Sequence, residues 1–366
     1  MNNFKRFILS QACTLPGGYL QTAVLSWVAA DLGGGLYSLA AYMIACYLPV
    51  AVLSYPFGRW LDQRPQKWWL VGSESLLAVL SLVLWLRAEQ LTFPFLLGFG
   101  ALWGVVRALQ TPLCQSLPRL LAKDLSKGTA TLTVVTDLAR GAGPVLGGLL
   151  YQKWGAGPPF LLNFVSFIPS VIFLSTLRLP PPAPSAKIRV RQYLAPLGRV
   201  FAVSFLAVNY NVTFVALDKK AGLGSGSYGL ALGLLGLGAL LGFSLKLRPP
   251  TRLLLLGMAG LNAVLAVGTA PLWQGVCILL YGGLDFYYFS AAACGLSQRA
   301  KPQEVGGVMG LYTVVTVGAV PIGALFWSMV SKAVGLRWTF WFISGGLVLL
   351  SILFKGDYYE KRHEDF

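Results

Sequence analysis

An all-α membrane protein with twelve transmembrane helices is the fold class predicted here, and three features of the sequence predict it. Of 366 residues, 56% are hydrophobic and only 11% are charged, where a soluble domain carries about a quarter charged residues. Long apolar runs recur between glycine, proline and charge punctuation, each near the ~20 residues that cross a ~30 Å hydrocarbon core. At about 30 residues per crossing with its loop, the length accommodates about twelve crossings. The basic residues, finally, are spread unevenly between the segments that separate the runs.

In chain order the predicted spans are 7–30, 36–57, 68–87, 92–117, 128–150, 158–177, 199–217, 226–245, 252–269, 272–297, 305–331 and 336–354. The first follows Lys5 and Arg6, the second ends before Arg59, and the third runs from Lys67 to Arg87. The fourth stops ahead of Arg119, the fifth lies between Lys127 and Lys153, and the sixth ends at Arg178. A polar stretch from Arg178 to Pro196, holding Pro180, Pro181, Pro182 and Pro184, cannot continue a helix. It divides the spans six and six, which predicts an N-terminal bundle at 1–178, a linker at 179–198, and a C-terminal bundle with its tail at 199–366. The later spans are bounded in the same way by Lys246 and Arg248, Arg252, Arg299, Lys332 and Lys355. Two parallel six-helix bundles, related by a pseudo-twofold axis, place a substrate path along their shared interface.

With alternating spans, 21 of the 29 basic residues fall on the side of the N-terminus, six on the other side, and Arg107 and Arg140 within spans. That bias places both termini and the linker in the cytoplasm, in a plasma (inner) membrane. The apolar stretch after Arg6 runs on too far for a cleavable signal. An outer-membrane barrel is excluded, because its strands would alternate apolar and polar residues. The five scattered cysteines lack C-x-x-C spacing and read as packing residues. The one histidine, His363, sits in the polar tail, so no His-ligated metal, cofactor or His-based catalysis is expected in the membrane. Gly236, Gly238 and Leu241 do not complete a dinucleotide fingerprint, and no phosphate loop of the G-x-x-x-x-G-K type is present. Nucleic acid is not an expected partner, since the net charge of +16 reports orientation.

Two motifs carry more specific information. After span 2 comes Gly58-Arg-Trp-Leu-Asp62-Gln-Arg64-Pro-Gln-Lys67, and span 5 contains Gly141-Ala-Gly143-Pro144-Val-Leu-Gly147-Gly148. The first resembles the loop signature of the major facilitator superfamily at Gly58, Asp62 and Lys67, while Trp60, Gln63, Pro65 and Gln66 depart from it. The second is similar to the bend signature of that family's proton-linked exporters at Gly143, Pro144, Gly147 and Gly148, with Ala139 and Arg140 departing. The resemblance implies a gating loop, with Arg64 among its basic residues, that latches the two bundles. It also implies a proline bend where glycines admit a neighbouring helix. Gln11 to Gln21, Thr111-Pro112 with Leu117-Pro118, and Gly306-Gly307-Val-Met-Gly310-Leu resemble the branch holding macrolide-efflux proteins and the enterobactin exporter.

Charged side chains at mid-bilayer are functional candidates by default. Arg107 in span 4 and Asp285 in span 10 lie at equivalent depths, slightly past the middle of the core. Gln11, Gln21, Gln110, Asn209 and Asn211 add polarity to spans 1, 4 and 7, which the family resemblance implies line the central cavity. Around Asp285 the chain is aromatic, and Tyr281 and Tyr288 are expected to line the same wall, suited to apolar or cationic amphiphiles. Glu74 in span 3 and the Asp137–Arg140 pair at i, i+3 in span 5 complete the set. An apolar wall disfavours an ionised carboxylate, so Asp285, Glu74 or Asp137 is expected to load and release a proton, with Arg107 as the partner or competitor of Asp285.

These readings converge on a monomeric secondary transporter, not an enzyme. Alternating access and an ion gradient, expected to be of protons, would drive export of a hydrophobic or amphiphilic small molecule. A uniporter or lipid or lysolipid flippase of the same fold, and a transport-dead receptor or scaffold, are the alternatives.

Overall fold

Polar punctuation and apolar runs resolve into thirteen α-helices and one 3₁₀ turn, with no strand among the described residues. A computed structural model describes residues 2–61, 64–122, 125–179, 190–245, 247, 249–267, 271–300 and 305–354. The helices are α1 (Asn3–Leu32), α2 (Leu36–Leu61), α3 (Gln66–Leu86), α4 (Phe93–Leu121), α5 (Leu125–Trp154) and α6 (Gly157–Ser175). After the 3₁₀ turn (Val190–Tyr193) come α7 (Leu194–Ala207), α8 (Tyr210–Lys220), α9 (Ser225–Leu245), α10 (Thr251–Val267), α11 (Pro271–Arg299), α12 (Val305–Val334) and α13 (Leu336–Leu353). Every predicted span is matched, eleven of them by one helix and the seventh by two. Among the described residues nine segments are long and apolar enough to cross a membrane, α7 and α8 together forming one of them. The remaining crossings are α1 and α5, each 30 residues long and diluted by polar side chains, and the 17-residue α10.

Local chemistry sets the ends. Asn2 caps α1, its side chain accepting from the Phe4 amide at 2.7 Å. Beyond Leu32, Gly34 and Gly35 take φ of 79° and 134°, a turn that a side chain would strain. Proline occupies the first turn of α4 and α6, where its missing N–H costs nothing.

The seventh span departs from expectation. A single helix at 199–217 is predicted, but the chain leaves helical geometry at Val208 and Asn209 with neither glycine nor proline present. The cause is Asn209. Its Nδ2 donates to the Phe205 carbonyl, and its own carbonyl accepts from the Val212 and Thr213 amides at 3.0 and 3.1 Å, restarting the helix.

Packing follows a pseudo-twofold pattern. Among the first six spans α1 lies on α5 and α6, α2 on α4, and α3 on α6. Six spans later the same pairs recur as α7 on α12 and α13, α9 on α11, and α10 on α13. Two long seams join the bundles, α2 along α12 and α5 along α9, and the pseudo-twofold operation exchanges them.

The bend motif is what lets α5 serve two neighbours. A Cβ on Gly143 or Gly147 would stand 2.6 Å from the Pro16 carbonyl or 2.7 Å from the Leu20 carbonyl of α1. On the other side of α5, a Cβ on Gly148 would stand 2.5 Å from the Ser225 carbonyl of α9. Across the same seam, Gly229 abuts the Pro144 carbonyl, and a Cβ on Gly236 would lie 2.5 Å from Cα of Gly141. Backbones thus touch directly, as small residues permit in lipid. Gly236→Leu must therefore open this seam, and the expected cost is about 1–3 kcal/mol, read as a lower melting temperature of the purified protein. Unchanged melting would contradict the packing described.

Candidate functional site

Four helices bring ionisable and phenolic side chains to one place in the interior. α5 supplies Asp137 and Arg140, whose Oδ1 and guanidinium are 3.7 Å apart. Tyr19 of α1 lies under the guanidinium, 5.9 Å from ring centre to Cζ. Tyr210, the first residue of α8, feels the charges of Arg140 and Asp285. Asp285 of α11 is acted on by Arg140, which attracts it, and by Asp137, which repels it. Arg140 is thus paired with Asp137 and lies within electrostatic range of a second carboxylate, Asp285, with no direct ion pair formed to it. Oδ2 of Asp137 and Oδ1 of Asp285 are buried without a hydrogen-bond partner among the described residues, an expensive condition for a carboxylate. The Arg140 side chain keeps 38% exposure beside the 5% of Asp137, so the cluster adjoins open space.

Helix geometry supports an inward view. On α11, Val276 and Leu280 are exposed, and at ~100° per residue Asp285 lies on the opposite side. On α4, Leu102 and Val105 are exposed and Arg107 lies opposite them by the same reckoning. Gln115, two turns further along that side of α4, donates to Thr313 of α12 at 3.1 Å.

The expected pairing of Arg107 with Asp285 is not formed. Arg107 donates to Oε1 of Gln110 at 2.8 Å, and the Gln110 amide donates to Oε2 of Glu74. Ser170 of α6 donates to the other Glu74 oxygen at 2.5 Å. Glu74 is 1% exposed and both its oxygens are engaged, so α3, α4 and α6 are tied together within the first bundle. Sequence depth placed Arg107 and Asp285 at one level. The partner came instead from the residue three positions along the same helix, which is always within reach.

Other expected cavity residues are distributed between structure and open space. Gln21 borders a small cavity with Thr22, Tyr42, Cys46, Tyr47 and Trp103, yet its Oε1 also accepts from Ser81 at 2.9 Å and Asn163 at 2.7 Å. Gln11 is buried, its Nε2 3.5 Å from the Ser10 hydroxyl. Asn211 accepts from Tyr228 at 3.1 Å. Asn209 and Tyr281 line a second, small cavity within the last six spans. Tyr288 is a correction: it is 0% exposed, its hydroxyl donating to the Arg199 carbonyl at 3.3 Å, because its side of α11 packs on α7.

In the expected gating loop, Gly58 faces Pro112 of α4, with 3.4 Å available to a Cβ. Arg64 stacks over Trp60 at 4.4 Å and Lys67 over Trp68 at 5.2 Å. These contacts stay within the first bundle. Asp62 lies outside the described residues.

Several interbundle contacts were not anticipated. On the face opposite the N-terminus, Lys219 and Asp31 form an ion pair at 2.7 Å. Trp27 meets Tyr228 at 6.0 Å between ring centres, Lys332 lies over Tyr37 at 4.7 Å, and Ser328 donates to the Leu36 carbonyl at 3.2 Å. Charges at the ends of spans read as solvated, which hid Asp31 and Lys219. Asn163 was legible in principle, since Asn163, Ser166 and Ser170 form a polar stripe at i, i+3, i+7 on an otherwise apolar helix. Among the described residues no three His, Cys, Asp or Glu side chains gather as a metal cluster.

The sequence profile of the Major Facilitator Superfamily matches residues 7–320. Macrolide efflux protein A of Streptococcus pyogenes is 20% identical over 370 aligned positions, covering 91% of this chain and 89% of that protein. The crystal structure of the human organic anion transporter MFSD10 (TETRAN) superposes with a TM-score of 0.75 at 17% identity, over 96% of this chain and 98% of that one. The structure of the POT family transporter PepTSo gives a TM-score of 0.75 at 12% identity, over 96% of each chain. Twelve crossings in two pseudo-symmetric bundles, charges turned towards an interior between them, and a profile match over most of the length agree: the chain belongs to the Major Facilitator Superfamily.

Proposed function

We propose that this chain is a proton-coupled secondary transporter that exports a hydrophobic or amphiphilic small molecule by alternating access. The observation that carries the reading is the cluster of Tyr19, Asp137, Arg140, Tyr210 and Asp285, drawn from both bundles around two carboxylates and one guanidinium. One negative charge is left over. In a low-dielectric interior that charge favours uptake of a proton or of a cationic group on the substrate. Arg140 belongs to the first bundle and Asp285 to the second, so any rocking of one bundle against the other changes their separation. Proton loading at Asp285 is thereby linked to the side on which the vestibule opens.

The rings of Tyr19 and Tyr210 at the cluster, and the Tyr47–Trp103 pair beside the Gln21 cavity, suit an amphiphile through area burial and stacking. Similarity to a macrolide efflux protein supports the outward direction. The 21-to-6 distribution of basic residues supports a plasma membrane orientation with cytoplasmic termini, and the polar segment expected at 179–198, shortened by the start of α7 at Leu194, serves as the linker between bundles. Asp31 and Lys219 then form part of the closure on the outer face.

Two experiments test the reading. In proteoliposomes, Asp285→Asn is expected to lower pH-gradient-driven uphill flux by about tenfold or more while leaving passive exchange of the same substrate measurable. Full gradient-driven flux in that variant would refute the coupling role and favour a uniporter. Secondly, the paired substitutions Asp31→Cys and Lys219→Cys, oxidised in the membrane, are expected to stop turnover and to release it on reduction. Undiminished turnover with the cross-link in place would show that this face does not open.

A further inference from the structure

The break in the seventh span leaves hydrogen-bond acceptors without donors. Because α7 ends at Ala207 and α8 starts at Tyr210, the carbonyls of Phe205, Leu206 and Ala207 lose the amides four residues on. The Phe205 carbonyl accepts from Asn209 Nδ2 and from Trp327 Nε1, the latter at 2.8 Å. Ala207 accepts from the Tyr281 hydroxyl at 3.0 Å. For the Leu206 carbonyl no donor is in place among the described residues. Asn209 adds a second acceptor: the bond from its Nδ2 fixes the amide orientation, and its Oδ1 is buried with no partner in a residue only 3% exposed.

Leu206, Asn209, Thr213, Asn262 and Tyr281 border the same cavity. Their donors are already committed. Thr213 gives its hydroxyl proton to the Asn209 carbonyl at 3.3 Å, and Asn262 donates to the Met258 carbonyl at 2.9 Å. Lone pairs are what these groups have left to offer. Asp285 follows Tyr281 by four residues on α11, one turn along the same face, and it too has an unpartnered oxygen.

A pocket of acceptors beside an intramembrane carboxylate attracts a cation. Its oxygens are hard ligands, and they are neutral ones, which matches a small monovalent ion better than a divalent one that calls for several carboxylates. Unwound backbone at a discontinuous membrane helix supplies such oxygens readily. We propose that the break in the seventh span is a sodium site, formed by the Leu206 carbonyl, Asn209 Oδ1 and the side-chain oxygens of Thr213 and Asn262. The site stands independently of the transport direction and of the substrate. An ion there would brace α7 against α8 and lie near Asp285, so that sodium and the charge state of Asp285 influence each other.

Binding of radioactive sodium to the purified full-length chain tests this, at constant ionic strength held with choline chloride and alongside thermal melting. Saturable binding of about one ion per chain is expected, with potassium competing about tenfold less well or worse. The near-isosteric Thr213→Val and the variant Asn262→Leu should each weaken sodium binding about tenfold or more. Asn209→Asp, which keeps the shape and adds charge, should retain it or tighten it. No saturable binding to wild-type protein that melts cooperatively would overturn the proposal. So would equal stabilisation by sodium and choline, which would mean that the pocket holds water only. Full affinity in Thr213→Val and Asn262→Leu would remove the site from this pocket.

Discussion

A charged side chain in hydrocarbon must find a partner, a hydrogen-bond network or water, and this constraint shapes the interior of the chain. The first bundle meets it by enclosure. Glu74 is held by Ser170 and Gln110, and Gln110 in turn receives Arg107, so the acid and base within that bundle are joined through an amide. The interface meets it incompletely. Arg140 pairs with Asp137 and reaches Asp285 only through its charge, and among the described residues each carboxylate leaves an oxygen without a hydrogen-bond partner. One set of polar groups is satisfied and structural; the other is unsatisfied, partly exposed and divided between bundles. Under the proposed function, the second kind is the one that exchanges a proton or a ligand.

That interface exists because glycine brings backbones together. α5 uses Gly143 and Gly147 against α1, and Gly141 and Gly148 against α9, so a single helix is fixed within its own bundle and also along the seam. Arg140 and Asp137 project from this helix close to Gly141. The close approach therefore sets the depth and direction of the charges as well as the packing. Pro144 removes one backbone donor at the same place, which suits a helix that must curve between two neighbours.

Much of the fold was legible in the sequence, since hydropathy and punctuation locate spans wherever lipid is the solvent. Boundaries in the structure differ from the expected ones by a few residues, as for α1 and α4, whose ends extend into polar surroundings. The seventh span was located, but its internal break was not foreseen, because Asn209 interrupts the helix through a side-chain bond that no composition rule reveals. The site was legible by residue type and depth, and much less so by direction. Arg107 and Asp285 stand at one level, but rotation about α4 turns Arg107 towards Gln110, while rotation about α5 brings Arg140 towards Asp285. Asp31 and Lys219 were invisible for a related reason: their pairing depends on two helix ends meeting across the bundles.

The central claim is that Arg140 and Asp285 interact across the bundle interface, and a double-mutant cycle on thermal stability measures it most directly. With Arg140→Gln, Asp285→Asn and the two combined, the double variant is predicted to lose less than the sum of the single losses, by about 1 kcal/mol or more. Strictly additive losses would mean that the two charges do not act on each other, and the account given for the interface would fail.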